Sequence, residues 1–141
     1  MWAYCDTSAL VRRYVTEPGR AALMRTIARR QVVSSVLLRL ELQSAIGRRV
    51  REGRIATAHH PDLLERIDQD CHHWTLVEFS PDVVGVVEML LETHPIRTLD
   101  AIHIASARVF SSAIRRDVAF VTADGRQAKT AARAGLQVVQ I

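Results

Sequence analysis

The sequence is poor in cysteine and in aromatic side chains. Cys5 and Cys71 are the only cysteines, and neither belongs to a Cys-x-x-Cys pair. A structural zinc site needs about four closely spaced ligands, so the cysteines indicate no zinc site, and we expect both thiols to be reduced. Only 5% of the residues are aromatic. Trp2 and Trp74 adjoin strand-like segments, and we expect them in the core rather than under nucleic-acid bases.

Long apolar runs are also missing. No stretch approaches the roughly 18 consecutive apolar residues that a membrane span needs. The first residues, MWAYCD, contain no basic segment followed by an apolar one, so no secretory signal is visible. We therefore expect a cytoplasmic protein without membrane contact.

Lysine is nearly absent, because Lys129 is the only one. The chain has 19 basic and 15 acidic residues, and its net charge of +4 comes almost entirely from arginine. Arginine binds phosphate through a planar pair of donors, which favours a nucleic-acid partner. The alternative is that the charge serves solubility and reflects a genomic preference for arginine codons.

Short apolar segments alternate with helical patterns along the whole chain. The predicted strands cover residues 2–5, 31–34, 75–79, 118–122 and 138–141. The predicted helices cover residues 8–15, 20–30, 36–51, 60–71, 81–91, 99–114 and 126–134. This alternation predicts an α/β fold with a parallel sheet of four to five strands and helices on both faces. No repeat or linker is visible, so we expect one domain, residues 1–141.

Two acidic residues follow predicted strands. Asp6 comes directly after the first strand, and Asp124 comes two residues after the fourth. Open parallel sheets place their sites outside the carboxyl ends of the strands, so both acids belong to the same edge. Each of them could instead be a helix N-cap, and so could Asp100 ahead of its helix. Taken singly, capping is the more common role for each aspartate.

Glu41 is harder to explain in that way, because it lies inside a predicted helix. Its helical face carries apolar and small residues, and the only arginine on that face, Arg48, is seven residues away. A carboxylate is costly to bury unless a positive charge meets it, so a bound cation is indicated. His103 comes one turn after Asp100, and we expect a packed, structural role for it.

Several acids without cysteine ligands are typical of a site for a hard cation. Mg²⁺ and Mn²⁺ prefer oxygen ligands. Such an ion lowers the pKa of a bound water and neutralises charge on phosphate, which suits phosphodiester hydrolysis. The sequence has no GxxxxGK[ST] phosphate loop, HExxH motif or GxSxG elbow, so the corresponding chemistries are not indicated.

Four segments resemble the signature segments of VapC-type PIN-domain toxins. They are YCDTSALV at 4–11, SSVLLRLE at 34–41, TLDAIHIA at 98–105 and FVTAD at 120–124. They occur in the order seen in that family and span the chain. Any one of them would be a weak signal, whereas four in order are specific.

The resemblance implies a three-layer α/β/α fold and a set of carboxylates around one or two Mg²⁺ or Mn²⁺ ions, namely Asp6, Glu41, Asp100 and Asp124. It also implies that Thr122 corresponds to a hydroxyl-bearing residue that assists the site in that family. It further implies a metal-dependent endoribonuclease with an RNA substrate, an antitoxin protein that blocks the groove, and a homodimer.

Two other functions stay open at this point. One is a PIN-domain nuclease that acts in RNA processing without an antitoxin. The other is a PIN-like module that binds metal poorly and acts as an RNA-binding or interaction protein. The presence of all four acids argues against the second.

Overall fold

The computed structural model describes residues 1–141. The strands are β1 (Trp2–Cys5), β2 (Gln31–Ser35), β3 (Thr75–Val77), β4 (Ala119–Thr122) and β5 (Gln137–Gln140). The helices are α1 (Thr7–Leu10), α2 (Arg20–Ile27), α3 (Leu38–Arg51), α4 (His60–His73), α5 (Pro81–Thr93), α6 (Thr98–Ile114) and α7 (Gly125–Arg133). None of the helices combines the length and the apolar character that crossing a membrane requires.

The five strands form one parallel sheet in the order β3-β2-β1-β4-β5. The first strand therefore lies at the centre, between β2 and β4. Cys5 at its end is in register with Val121, and the backbone amide of Asp6 donates to the carbonyl oxygen of Val121 at 3.1 Å. The residues that follow β1 are thus held beside the end of β4, where Thr122 lies.

Alternate residues of the central strand face two separate cores. Ala3 and Cys5 belong to a core built with α1 to α4, whereas Tyr4 belongs to a core built with α5 to α7. The ring of Tyr4 stacks on Phe120 with centroids 5.6 Å apart. Both faces of a parallel sheet need this cover, since its strands are apolar on both sides. The predicted α/β fold, a three-layer sandwich with a central parallel sheet, is confirmed.

The elements differ from the predicted ones mainly at their ends. The helix expected over residues 8–15 is only α1 followed by a 3₁₀ turn, Val11–Arg13, before the chain reverses ahead of Gly19. Gly19 has φ 89°, a left-handed conformation that glycine adopts without strain. The strand expected over residues 75–79 ends at Val77, because it is an edge strand and the chain then enters the Ser80 N-cap of α5.

A partly buried ion pair joins the 3₁₀ turn to α4. Arg13 donates to Asp70 through Nε at 2.6 Å and Nη2 at 2.9 Å, and the Tyr14 hydroxyl donates to the same carboxylate at 2.8 Å. Burial raises the pKa of Asp70, but the hydrogen bonds from Arg13 and Tyr14 outweigh it and hold that pKa below its usual value. The ionised carboxylate is therefore the form that this contact stabilises.

Replacing Asp70 by asparagine is expected to lower the free energy of unfolding at pH 7 by about 1–3 kcal/mol, because charged hydrogen bonds are removed. A carboxyl group with a lowered pKa stabilises the fold above its unfolded pKa and loses that contribution as the pH falls through the folded value. The difference between wild type and Asp70→Asn should therefore shrink below about pH 4. Urea unfolding at several pH values measures this difference in the free energy of unfolding, and Glu92→Gln, an exposed position on α5, is the control. A difference of constant size across that range would contradict the prediction.

Candidate functional site

Asp6 stands at the end of β1 and is almost completely buried, with 2% of its surface exposed. Its carboxylate caps α1 by accepting from the amide of Ala9 at 2.8 Å. It also accepts from the hydroxyl of Ser8, at 2.9 and 2.8 Å from its two oxygens, and from Thr122 at 2.7 Å. Burial raises the pKa of Asp6, and the charge of His103 and these hydrogen bonds oppose the rise. The capping alternative is therefore correct for Asp6, and the cap leaves the carboxylate fixed at the sheet edge.

Thr122 links the ends of the two central strands. Its hydroxyl donates to Asp6 and accepts from the amide of Asp124 at 3.0 Å. The side-chain oxygen of Gln127 lies 3.1 Å from the same hydroxyl, and its amide nitrogen lies 3.4 Å from the carbonyl oxygen of Asp100. Gln127 is 3% exposed and so connects β4, α6 and α7 inside the protein. Sequence reasoning missed Gln127, because its only signal is a position on the inner face of a short helix.

Glu41 is paired, contrary to the argument from its helical face alone. His103 Nε2 lies 2.7 Å from Glu41 Oε2, and the side chains are 4% and 19% exposed. His103 Nδ1 lies 2.9 Å from the Tyr4 hydroxyl, and Nε2 lies 3.3 Å from the Thr7 hydroxyl. Burial alone lowers the pKa of His103, but the hydrogen bond to Glu41 and the nearby carboxylate charges outweigh it and raise that pKa. Glu41 therefore has a basic partner in this structure, the His103 imidazole, and the raised pKa of His103 favours its charged form.

Asp100 is not an N-cap. It is the third residue of α6, and the cap position is occupied by Arg97, whose side chain makes no capping bond. The carboxylate is partly buried and takes part in no hydrogen bond or ion pair. Burial raises the pKa of Asp100 and the charges of Asp124 and Glu41 raise it further, while the charges of His103 and Arg97 oppose the rise without cancelling it. Asp100 thus lies near other negative charge, and no hydrogen-bond donor contacts its carboxylate.

Asp124 caps α7. Its carboxylate accepts from the amides of Arg126 at 2.8 Å and Gln127 at 3.2 Å. Asp124 and Asp100 line the same open cleft, which has a volume of about 640 Å³ and is also lined by Thr7 and Ser8. Glu41 lines an adjoining pocket, and Asp6 lies behind Ser8. The structure thus brings Asp100 and Asp124 into one cleft, whereas Glu41 lines a pocket that shares Thr7 and Arg48 with that cleft, and Asp6 is buried and lines neither.

The donor set fits a hard cation in its chemistry, although the ligands are not preassembled. No three His, Cys, Asp or Glu side chains are arranged so that they could hold a metal ion as they stand. Every acidic donor here is oxygen, the ligand type that Mg²⁺ and Mn²⁺ prefer. Asp100 supplies a carboxylate without a partner, and the Asp124 and Glu41 charges act on it. A divalent cation beside Asp100 would offset that repulsion.

The comparisons with known proteins agree with this fold. The PIN domain family model matches residues 3–133. The chain belongs to the PIN domain family. This confirms the resemblance seen in the four segments, and PIN domains are generally nucleases that use divalent metals.

The two other comparisons concern curated protein sequences and solved structures. No curated protein sequence matches it significantly. Among solved structures it is similar to a chain of a toxin–antitoxin complex from Klebsiella pneumoniae, with a TM-score of 0.63 and 16% sequence identity over 99% of each chain. At that identity, the likeness concerns the fold.

Removing the charge of Asp100 is expected to stabilise the metal-free protein. A carboxyl group whose pKa is raised by folding favours its neutral form, so stability is lost as the pH rises through the folded pKa, and at pH 7 the ionised group opposes folding. The melting temperature of Asp100→Asn in EDTA should therefore exceed that of wild type at pH 7, and the gap should narrow as the pH falls towards 4. Glu88→Gln, an exposed acid on α5, is the control.

A lower melting temperature for Asp100→Asn at pH 7 would show that the carboxylate has a structural role. A useful comparison is Asp124→Ala, which removes a cap. Loss of an N-cap costs about 0.5–2 kcal/mol, so this variant should melt below wild type under the same conditions.

Proposed function

We propose that this PIN domain, residues 1–141, is a Mg²⁺- or Mn²⁺-dependent endoribonuclease and the toxin component of a type II toxin–antitoxin system. The observation that carries the nuclease part is the unpartnered Asp100 carboxylate, placed in one cleft with Asp124. Folding opposes the ionised form of Asp100, because its pKa is raised. Carboxyl groups with such shifted pKa values are concentrated at sites that bind a ligand or substrate.

Each acid has a distinct part in this proposal. Asp100 and Asp6 would hold the cation, with Glu41 and Asp124 contributing further oxygens. The bound ion supplies a water of lowered pKa and neutralises charge on the phosphate. Ser8 and Thr122 keep the Asp6 carboxylate in one orientation through their hydroxyl donors. His103 does the same for Glu41 from α6.

Arginine fits the substrate side of the same cleft. Arg12, Arg48, Arg49 and Arg97 line it together with the two aspartates. Guanidinium groups bind phosphate oxygens in pairs, so a strand of RNA laid in the cleft would meet cations as well as the carboxylates. The absence of an aspartate or glutamate within 4 Å of Arg48 or Arg97 supports this use of their charge.

The toxin part is supported by the likeness in fold, along the full length, to a chain of a toxin–antitoxin complex. We propose a protein antitoxin as partner, a homodimeric state and a cytoplasmic location. An inhibitory partner is expected to place an arginine against the acids at or near Asp6 and Asp100, because a planar guanidinium can bind two carboxylates. Co-purification with the product of a neighbouring short gene tests this, and an uninhibited nuclease in its presence would favour a role in RNA processing.

Cleavage of RNA is expected only with a divalent metal. The wild-type protein is incubated with a mixed pool of tRNA and rRNA in Mg²⁺, in Mn²⁺ or in EDTA, and the products are followed over time. Discrete products should form with either ion and none in EDTA. Isothermal titration of Mn²⁺ should show binding that is weaker in Asp6→Asn. Cleavage that survives EDTA would contradict the proposal.

A further inference from the structure

Gln127 is a buried glutamine whose side chain does not serve the end of its own helix. It is the third residue of α7, and the N-cap Asp124 accepts from its backbone amide at 3.2 Å. In a capping box, a glutamine at this position would return a hydrogen bond to the amide of the cap residue. The amide of Asp124 donates to the Thr122 hydroxyl instead, at 3.0 Å. The Gln127 side chain is therefore available for contacts with other elements.

The side chain of Gln127 spans two of those elements. Its Oε1 lies 3.1 Å from the hydroxyl of Thr122 on β4, and that hydroxyl donates to Asp6 at 2.7 Å. Its Nε2 donates to the backbone carbonyl oxygen of Asp100 on α6 at 3.4 Å. An amide with 3% of its surface exposed is costly to bury unless it is hydrogen-bonded in this way. One buried side chain thus lies between the strand end that fixes the Asp6 carboxylate and the helical turn that carries Asp100.

The two carboxylates are held in different ways apart from this link. Asp6 is fixed at the strand end by two hydroxyl donors and a backbone amide. No donor contacts the Asp100 carboxylate, so its position depends on the first turn of α6. That turn has no side-chain cap, because Arg97 makes no capping bond. Helix ends without a cap are the parts of a helix that fray most readily, so a further contact to this turn matters.

Gln127 makes the only hydrogen bond between α6 and α7, the one to the Asp100 carbonyl oxygen. A small cavity of about 50 Å³ lies beside this bond, and Arg97, Arg126 and Thr130 line it together with the two bonded residues. The two helices are therefore not closely packed at this point. The Gln127 amide is the polar contact that relates the first turn of α6 to the end of β4.

We infer that Gln127 is a positioning residue, which sets the separation of the Asp6 and Asp100 carboxylates so that both can bind one divalent cation. This rests on the proposed metal-dependent function. Gln127 acts through the Thr122 hydroxyl and the Asp100 backbone, and it touches neither the ion nor the substrate. Loss of a side chain that orients metal ligands through hydrogen bonds typically lowers metal affinity by about 10- to 100-fold. The alternative is a purely structural amide that fastens α7 to the fold.

Gln127→Met tests the inference, since methionine fills a similar volume and removes both hydrogen bonds. Isothermal titration of Mn²⁺ should show binding about tenfold weaker than in wild type. The melting temperature in EDTA should stay within about 4 °C of wild type, because Thr122 keeps Asp6 as its acceptor and the Asp100 carbonyl keeps its helical donor. A purely structural amide would give the opposite result, a lower melting temperature with unchanged Mn²⁺ affinity.

Gln127→Asn is the second variant. It keeps a buried amide, but its side chain is one carbon shorter and cannot reach Thr122 and Asp100 at once. It should therefore weaken Mn²⁺ binding as Gln127→Met does, which separates the span of the side chain from its polarity. Gln137→Met, an exposed position at the start of β5, is the matched control and should bind Mn²⁺ as wild type does.

Wild-type Mn²⁺ affinity in both folded variants would overturn the inference. Cleavage of RNA with Mg²⁺ separates this inference from the proposed function. Mn²⁺ binding that weakens in Asp6→Asn and in both Gln127 variants, without cleavage by wild type, contradicts the nuclease function alone. Cleavage by wild type, with an unchanged metal requirement in both Gln127 variants, contradicts this inference alone. A wild-type protein that binds no Mn²⁺ contradicts both.

Discussion

Replacing Asp6, Glu41 or Asp100 by its amide is expected to lower the rate of metal-dependent RNA cleavage by about 100- to 10,000-fold, on the order of 3–5 kcal/mol in the activation barrier. An amide keeps the shape of the side chain but removes the negative oxygen that a divalent cation needs. Asp124→Asn should have a smaller effect, because Asp124 already accepts from two backbone amides and asparagine also serves well as a cap.

The measurement is a single-turnover time course with saturating Mg²⁺, repeated at several Mn²⁺ concentrations. If the acids hold the ion, Glu41→Gln and Asp100→Asn should need more metal for half-maximal rate, which a purely structural defect would not produce. Glu88→Gln is the matched acid-to-amide control. Circular dichroism establishes that each variant is folded. A folded Asp100→Asn protein with the rate and metal requirement of wild type would remove Asp100 from the site.

The second large effect concerns the pair formed by Glu41 and His103. Replacing His103 by alanine is expected to lower the free energy of unfolding by about 3–5 kcal/mol in EDTA. The substitution removes the imidazole that contacts both Glu41 and the buried Tyr4 hydroxyl. Removal of one member of a buried pair costs more than the pair itself contributes, because the remaining charge is left uncompensated.

A double-mutant cycle isolates the contact from the cavity that alanine leaves. The variants are His103→Ala, Glu41→Gln and their combination, all measured by urea unfolding. Two residues in direct contact give a coupling energy of about 0.5–3 kcal/mol. For independent sites, the changes in the free energy of unfolding add to within a few tenths of a kcal/mol. Tyr4→Phe, which removes only the hydroxyl, should lower stability by much less than His103→Ala. Additive effects of the first two substitutions would contradict a stabilising pair.

Much of the secondary structure was predictable from the sequence because its signals are local. The buried strand before Asp6, the Ser80-Pro81 helix start and the long helix over residues 99–114 depend on apolar periodicity and on capping groups within one turn. The structure has all three, with ends that differ by a few residues. The positions of Asp6 and Asp124 just after predicted strands also belong to the chain itself, and they predict which edge of the sheet carries acids.

The surroundings of each acid could not be predicted in this way, because they depend on residues far apart in the chain. Sequence reasoning found only Arg48, seven residues away, as a positive side chain on the helical face of Glu41, yet His103 reaches Glu41 from α6, 62 positions away. Asp100 was open to a capping role, and only the observed start of α6 at Thr98 excludes it. Long-range contacts of this kind leave no local periodicity from which they could be inferred.

The sequence by itself determined the strand and helix order, the positions of the acids along it and the membership of the PIN domain family. The tertiary structure decided which acids are paired, capped or left without a partner. The physical reason is that propensity and capping act over a few residues, whereas the pKa of a carboxylate depends on burial and on every charge packed around it. Asp6, buried and donor-bound, and Asp100, half-buried and unpartnered, are both aspartates near the start of a helix. The packing alone distinguishes them.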